Sequence, residues 1–472
     1  MKTQFSLVAF LGLFAGSSFG YEWSSGSSPA TLGDGAVTLE YADGSVSGFK
    51  IAGGWLDTNV LTGDEISFAD GGAISFAANG GFTFNNAVIS AGALSVAGAE
   101  GDKPSEVNFT GKLTVPGFLT LKDDVSVKVS SLVLTAGGGV EIQSNATMRL
   151  AGAKPASDVK SAVITVRRGG TLENDTKYPY GVIANAHKIV LDGGTLSLEK
   201  GDARGAYFYA NDLTFTNGGA VVSADAAKVT RPRVCASEAA TKENATWKIV
   251  GTTKTPASCE GGAELVGTAN VTKGDSNFTI NVADVTGDES VDFLMGAMMR
   301  PGTNDGYGNQ STATSNNVYV YKTGVGSLKF IGANTYVGPT KVSAGTLVLG
   351  VNKATDYSAE YTFANDTALV CEPNCTNRIK KLTVSGNTTW TFGSGACLTV
   401  NAINTWSTGK TLTIVPPATG KKYLRFANTK GEPVVLSNAQ LACMKTAEGH
   451  KVEQDDEGYV FERSRGVLLI FR

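Results

Sequence analysis

From Gly324 to Gly350 the chain reads GVGSLKFIGANTYVGPTKVSAGTLVLG. Leu328, Phe330, Val342, Leu347 and Leu349 fall at the two-residue spacing of strands with one buried face. Glycines at 332, 338 and 345 supply the corners between these short runs. Asn334 is suited to cap a turn by bonding backbone groups, and Tyr336 to pack over a corner. The stretch therefore predicts a chain that turns, runs straight for four to six residues, and turns again.

The same unit recurs outward in both directions. It appears as GGAISF at Gly71, GALSV at Gly92, GKLTV at Gly111, GFLTL at Gly117, GGVEI at Gly138 and GGTLSL at Gly193. After the central stretch come KKLTV at Lys380, ACLTV at Ala396 and KTLTIV at Lys410. Helical patterns are nearly absent: only Asp288 to Arg300 (DESVDFLMGAMMR) predicts a short helix, and its methionines predict core filling rather than a ligand surface. Many strands without crossover helices exclude an α/β sheet. Separate sandwiches would need linkers about every hundred residues, and none stands out between Tyr21 and Thr419. The expected fold is all-β, a right-handed parallel β-helix with three short strands and roughly 20–25 residues per turn. A turn of this kind cannot bury its inward row alone, so stacking supplies the core.

Composition narrows the class further. The 472 residues include 58 glycines, about 12% against a usual ~7%. A formal charge of −3 gives no field for nucleic acid, and only 2 histidines leave little room for a histidine-based metal site. Met1-Lys2, the apolar run Phe5 to Ala15 and Ser18-Phe19-Gly20 form a secretory signal pattern, with cleavage expected after Gly20. The mature chain is expected to contain no membrane-spanning segment. Export favours disulfides among Cys235, Cys259, Cys371, Cys375, Cys397 and Cys443. Their clustering suggests Cys235–Cys259, Cys371–Cys375 and Cys397–Cys443, one of fifteen connectivities that six cysteines allow.

Residues 324–350 also resemble the autotransporter-associated β-strand repeat of bacterial surface passengers. The family pattern falls on Gly324, Gly326, Leu328, Gly332, Asn334, Tyr336, Gly338, Thr340, Val342, Gly345, Leu347, Leu349 and Gly350. The resemblance covers under thirty residues, and elsewhere only fragments recur, such as SAGALSV from Ser90. It implies a secreted or cell-surface protein. Family passengers usually precede a translocating barrel, for which the 53 residues after Thr419 are too few, so a passenger-type chain without its own translocator is expected. The segment 420–472, with Lys421-Lys422 and the acidic run Glu453 to Glu457, is expected to cap the rod or to act as a sorting tail.

Catalytic motifs were tested against this frame. Arg378-Ile379-Lys380 and Asp123-Asp124 match pieces of the polygalacturonase series, but lie about 250 residues apart, and no Gly-His-Gly accompanies them. Asp-Gly steps at Asp34, Asp43, Asp70, Asp192 and Asp305 read as turns, since no calcium array repeats. Ten N-x-S/T sequons, including Asn108, Asn145, Asn244, Asn277 and Asn387, would be glycan acceptors only in a eukaryotic host. The sequence thus points to a structural and adhesive rod, holding loops such as Pro301–Gln310 and Arg231–Gly262 toward an extracellular glycan or a surface protein. No catalytic residue, metal or cofactor is expected, and the alternative is a polysaccharide-active β-helix enzyme, a lyase or glycoside hydrolase.

Overall fold

The structure, a computed structural model, describes residues 20–23, 30–32, 37–135, 137–151, 162–174, 188–198, 206–209, 212–223, 232–237, 245–259, 264–268, 276–300, 318–356, 358, 360–418 and 422–463. The expected signal segment lies outside these residues, apart from Gly20, which opens the strand Gly20–Trp23. The described chain is nearly all strand, stacked in parallel as a β-solenoid.

Two ladders run through the molecule, and each follows one inward-facing row. The first passes from Leu94 through Leu119, Val140, Ile164, Ile189, Leu213, Trp247 and Ile280. It continues through Lys322, Val342, Phe363 and Val384. The second passes from Phe82 through Val107, Val127, Met148, Leu172, Leu196, Val221 and Cys259. It continues through Met295, Phe330, Leu349, Cys371 and Phe392. Every one of these side chains is buried. Alternate residues along each strand face outward, so the period-two pattern of the sequence becomes two inward rows, apolar apart from Lys322.

The third side departs from expectation. Among the described residues it pairs in three separate places rather than in every turn. Near the N-terminal end, Val88–Ser90 lies between parts of the strands Ile66–Phe76 and Ser105–Val115. In the middle, Ala206–Tyr209, Pro232–Ser237, Glu264–Thr268 and Met298–Arg300 form a four-stranded sheet. Toward the C-terminal end, Thr376–Ile379, Cys397–Val400 and Leu424–Phe426 stack in turn. In the turn of the repeat at 324–350, where this side has no strand, side chains satisfy the backbone instead.

Turn length is also uneven. Phe330 pairs with Leu349, only 19 residues on, whereas Val221 pairs with Cys259, 38 residues on. Each of these long middle turns carries one strand of the four-stranded sheet. The expected helix at Asp288–Arg300 is absent: Phe293–Met295 and Met298–Arg300 are strands. Register explains this, because Phe293 and Met295 fill a rung between Ala257–Cys259 and Ser327–Phe330. Met295 and Met299 are buried in the core. Among the described residues a helix forms at Asn438–Ala442, with a capping box between Ser437 and Gln440.

Both ends leave the parallel pattern. At the start, Ala30–Leu32, Val37–Ala42 and Ser45–Ile51 form an antiparallel meander, turning at Asp43-Gly44 with φ of 49° and 80°. These paired positive angles suit a two-residue hairpin. At the other end, Met444–Thr446 still extends the second ladder in parallel, but Tyr459–Glu462 pairs antiparallel with Leu424–Phe426 and Val452–Gln454. An antiparallel return covers the edge that a final parallel rung would leave open.

Candidate functional site

Around the repeat at 324–350 buried polar groups link successive turns, and the set grows out of one inward position. In the strand Val318–Thr323 burial alternates, so Val318, Val320 and Lys322 all face inward. Lys322 is fully buried, stacked between Ile280 and Val342. Its ammonium has three N–H donors and finds three carbonyls: Thr323 at 3.1 Å, Gly324 at 2.6 Å and Ala344 at 3.0 Å. Burial pushes Lys322 down to about 7, and the nearby Asp292 carboxylate opposes that shift. The side chain ties the corner after its own strand to the corner of the next turn.

Asp292 organises the turn before. Its Oδ1 accepts from the N–H of Val285 at 2.8 Å and of Thr286 at 2.9 Å. Its Oδ2 accepts from the Ser327 N–H at 2.7 Å, 35 residues on. Gly326 must be glycine here: an added Cβ would lie 2.2 Å from the Ala283 carbonyl oxygen and 2.7 Å from Asp292 Oδ2. Gly345 meets the same limit, with φ of +67° and the Gly326 oxygen 2.4 Å from an added Cβ.

On the strandless third side of this turn, Asn334 and Tyr336 are buried. The Met299 N–H donates to Asn334 Oδ1 at 2.9 Å, and Asn334 Nδ2 donates to the Ala354 carbonyl at 2.9 Å. The Ala354 N–H in turn donates to Asn377 Oδ1 at 2.7 Å. Two asparagines thus hold the N–H and the carbonyl of one residue, Ala354, and do the work of ladder hydrogen bonds. The Tyr336 hydroxyl lies 2.6 Å from Thr340 Oγ1 and 3.0 Å from the Tyr361 hydroxyl. Burial pushes both tyrosines up. Leu328, Leu347 and Thr340 are buried, Gly332 and Gly338 approach the preceding turn closely, and Gly350 sits beside Lys329 and Glu372. Lys322, Asp292, Asn334, Tyr336 and Thr340 are buried, so these side chains hold turns together rather than face a large ligand.

The cysteines are placed differently from their sequence clustering. Cys259 fills the second inward row between Val221 and Met295. Cys371, Cys375, Cys397 and Cys443 are thiols, with no disulfide joining them. Three of these approach one corner: the Cys397 N–H donates to the Cys375 carbonyl at 2.9 Å, and both neighbours act with burial to push the Cys371 thiol up. The side chain of Cys235 lies outside the described residues.

The candidate presenting loops are only partly described. Pro301–Gln310 lies outside the described residues, while the stretch 231–262 contributes Pro232–Ser237, Ala245–Ile249 and Ala257–Cys259. The catalytic fragments are not brought together. Asp123 and Asp124 take left-handed turn conformations, and Arg378 lies on the strand Thr376–Ile379. Nine register steps lead from Val127 to Cys371, which at ~4.8 Å each separates these regions by about 40 Å.

Sequence analysis missed Lys322 and Asp292. The signal for Lys322 was parity, a charged residue on the inward phase of Val318-Val320-Lys322. No sequence signal marks Asp292, whose partners are set by register between distant turns.

No curated protein and no solved structure matches the chain. Residues 320–349, which span Lys322 and its three neighbouring strands, match the family model described as passenger-associated-transport-repeat. The chain therefore carries an autotransporter passenger repeat, built into the parallel β-solenoid at the turn that Lys322 and Asn334 close.

Proposed function

We propose that this protein is an exported passenger-type rod whose role is structural and adhesive. The match at 320–349 carries the reading, because it falls on an unbroken part of the solenoid. A stiff stack of turns holds outward side chains at fixed spacing, so weak contacts along it add up to useful avidity. Rows of polar groups recur on the outer face, as where Arg167 Nε donates to Glu141 Oε1 at 2.9 Å across adjacent turns. A polymeric partner, an extracellular glycan or an elongated surface protein, suits such a repeating face. Among the described residues no helix is long and apolar enough to cross a membrane.

The expected leader, cleaved after Gly20, delivers the chain to an oxidising compartment in this reading. There Cys371 would pair with Cys375 and Cys397 with Cys443, as their spacing suggested, which peptide mapping without reductant would detect. The reading is tested by protease shaving of intact native cells, followed by fractionation. Release of peptides from this chain, with the mature terminus at Tyr21, supports it. A chain found only in the cytoplasm and uncleaved contradicts it, and turnover of a polysaccharide panel by the purified protein would favour the enzyme class.

A further inference from the structure

The last described elements fold over the end of the solenoid and bring three side chains together. A tight turn closes between Thr446 and His450, where the Gly449 N–H donates to the Thr446 carbonyl at 2.9 Å. Beyond it, Val452–Gln454 pairs antiparallel with Tyr459–Glu462, and Val452 faces Glu462 in the register. Glu448 from the turn, His450 at its exit and Glu462 at the strand end thus converge. One carboxylate or imidazole atom from each lies within 4.8 Å of the other two. His450 Nδ1 is hydrogen-bonded to Glu462 Oε1. Glu448 is exposed and the other two are half-buried, so the group is open to solvent.

A second observation points to the same place. Tyr423 is 3% exposed, and its hydroxyl is buried without a hydrogen-bond partner. The Glu462 carboxylate lies close enough to help burial push this phenol up. A buried, unpartnered hydroxyl costs roughly 1–3 kcal/mol. A water or ion held by Glu462 would give it an acceptor or a ligand to meet.

We propose that Glu448, His450 and Glu462 form a site for a divalent transition-metal ion of the zinc class. Two carboxylates and a neutral imidazole match a doubly positive ion in charge. The imidazole nitrogen selects this class over calcium or magnesium, which prefer oxygen ligands alone. Three protein ligands leave a fourth position for water, as zinc sites allow. The ion would pin the Thr446–His450 turn to the final strand and so lock the cap onto the end of the rod. The competing assignment is a plain His450–Glu462 hydrogen bond with Glu448 uninvolved.

The test uses the untagged full chain, titrated with zinc chloride by calorimetry and with cobalt(II) by visible absorption. One zinc per chain and a cobalt absorption band are expected, together with a zinc-dependent rise in Tm. Glu448→Gln and His450→Asn should each weaken zinc about a hundredfold and abolish the cobalt band, while circular dichroism stays unchanged. Tyr423→Phe should weaken zinc about tenfold, the lower end for groups outside the ligand set. Failure of the native chain to bind one equivalent, or binding unaltered in both Glu448→Gln and His450→Asn, overturns the proposal.

Discussion

The middle turns of the solenoid and the turns around the repeat share one core but solve its third side differently. Between Val221 and Phe330 successive partners in the second ladder are 35 to 38 residues apart, and each turn carries a strand of the four-stranded sheet. Between Phe330 and Phe392 the steps shorten to 19–22 residues, and there Asn334, Tyr336 and Asn377 close the turns with side-chain bonds. Both designs leave the inward columns in register. Stacking of the two main ladders therefore sets the fold, and the third side is free to vary in length. That freedom is what allows a rod of this kind to carry loops without losing its core.

If the two regions share a core, large side chains at equivalent depth should matter equally. Trp247 in the middle and Trp390 near the repeat are both fully buried. Trp247→Ala and Trp390→Ala should each cost about 3–5 kcal/mol in urea unfolding. A middle-turn value of half the other or less would show that the long turns are loosely packed. Close approach between turns should separate the regions instead. Gly326→Ala drives a methyl into two carbonyl and carboxylate oxygens and should cost about 3 kcal/mol. Gly287→Ala meets no atom within 4 Å, so only its φ of +71° opposes it, at about 1 kcal/mol.

A smaller effect should appear with pH. Lys322 titrates near its ordinary 10.5 when unfolded but near about 7 when folded. Between these values the unfolded chain binds the extra proton, so stability should rise with pH from about 7 to about 10. Lys322→Met should flatten that rise in denaturant titrations, and an unchanged slope would remove Lys322 as its source. The smallest effect should come from the outer face. Arg167 joins Glu141 and Asp192 across turns but is half exposed, so Arg167→Ala should cost under about 1 kcal/mol and less still in high salt.

Much of this was legible in the sequence, for a physical reason. Period-two alternation and corner glycines are local, so the strands at Gly71, Gly117, Gly193 and Gly345 could be placed one by one. Register is not local. Nothing in the chain around Cys375 and Cys397 says that these cysteines come from consecutive turns, and their spacing suggested other pairs. The methionine-rich run after Asp288 looked helical because Phe293 and Met295 are apolar on any periodicity, and only their rung decides. The short helix Asn438–Ala442, with its capping box on Ser437 and Gln440, was not among the sequence expectations. Glu448, His450 and Glu462 are separated by a turn and a hairpin, which hides their convergence, and two histidines in the whole chain argued against looking for it.

Parallel, in-register stacking itself can be examined by cross-linking. Lys341 and Thr362 are register partners on outward positions of adjacent turns, and at ~4.8 Å between strands a disulfide fits without strain. In the double variant Lys341→Cys with Thr362→Cys, mild oxidation should give a 341–362 cross-link in near-complete yield by peptide mapping. A control joining Lys341→Cys with Thr389→Cys, on the other ladder, should give none. Equal yields in the two, or a cross-link only in the control, would contradict the solenoid.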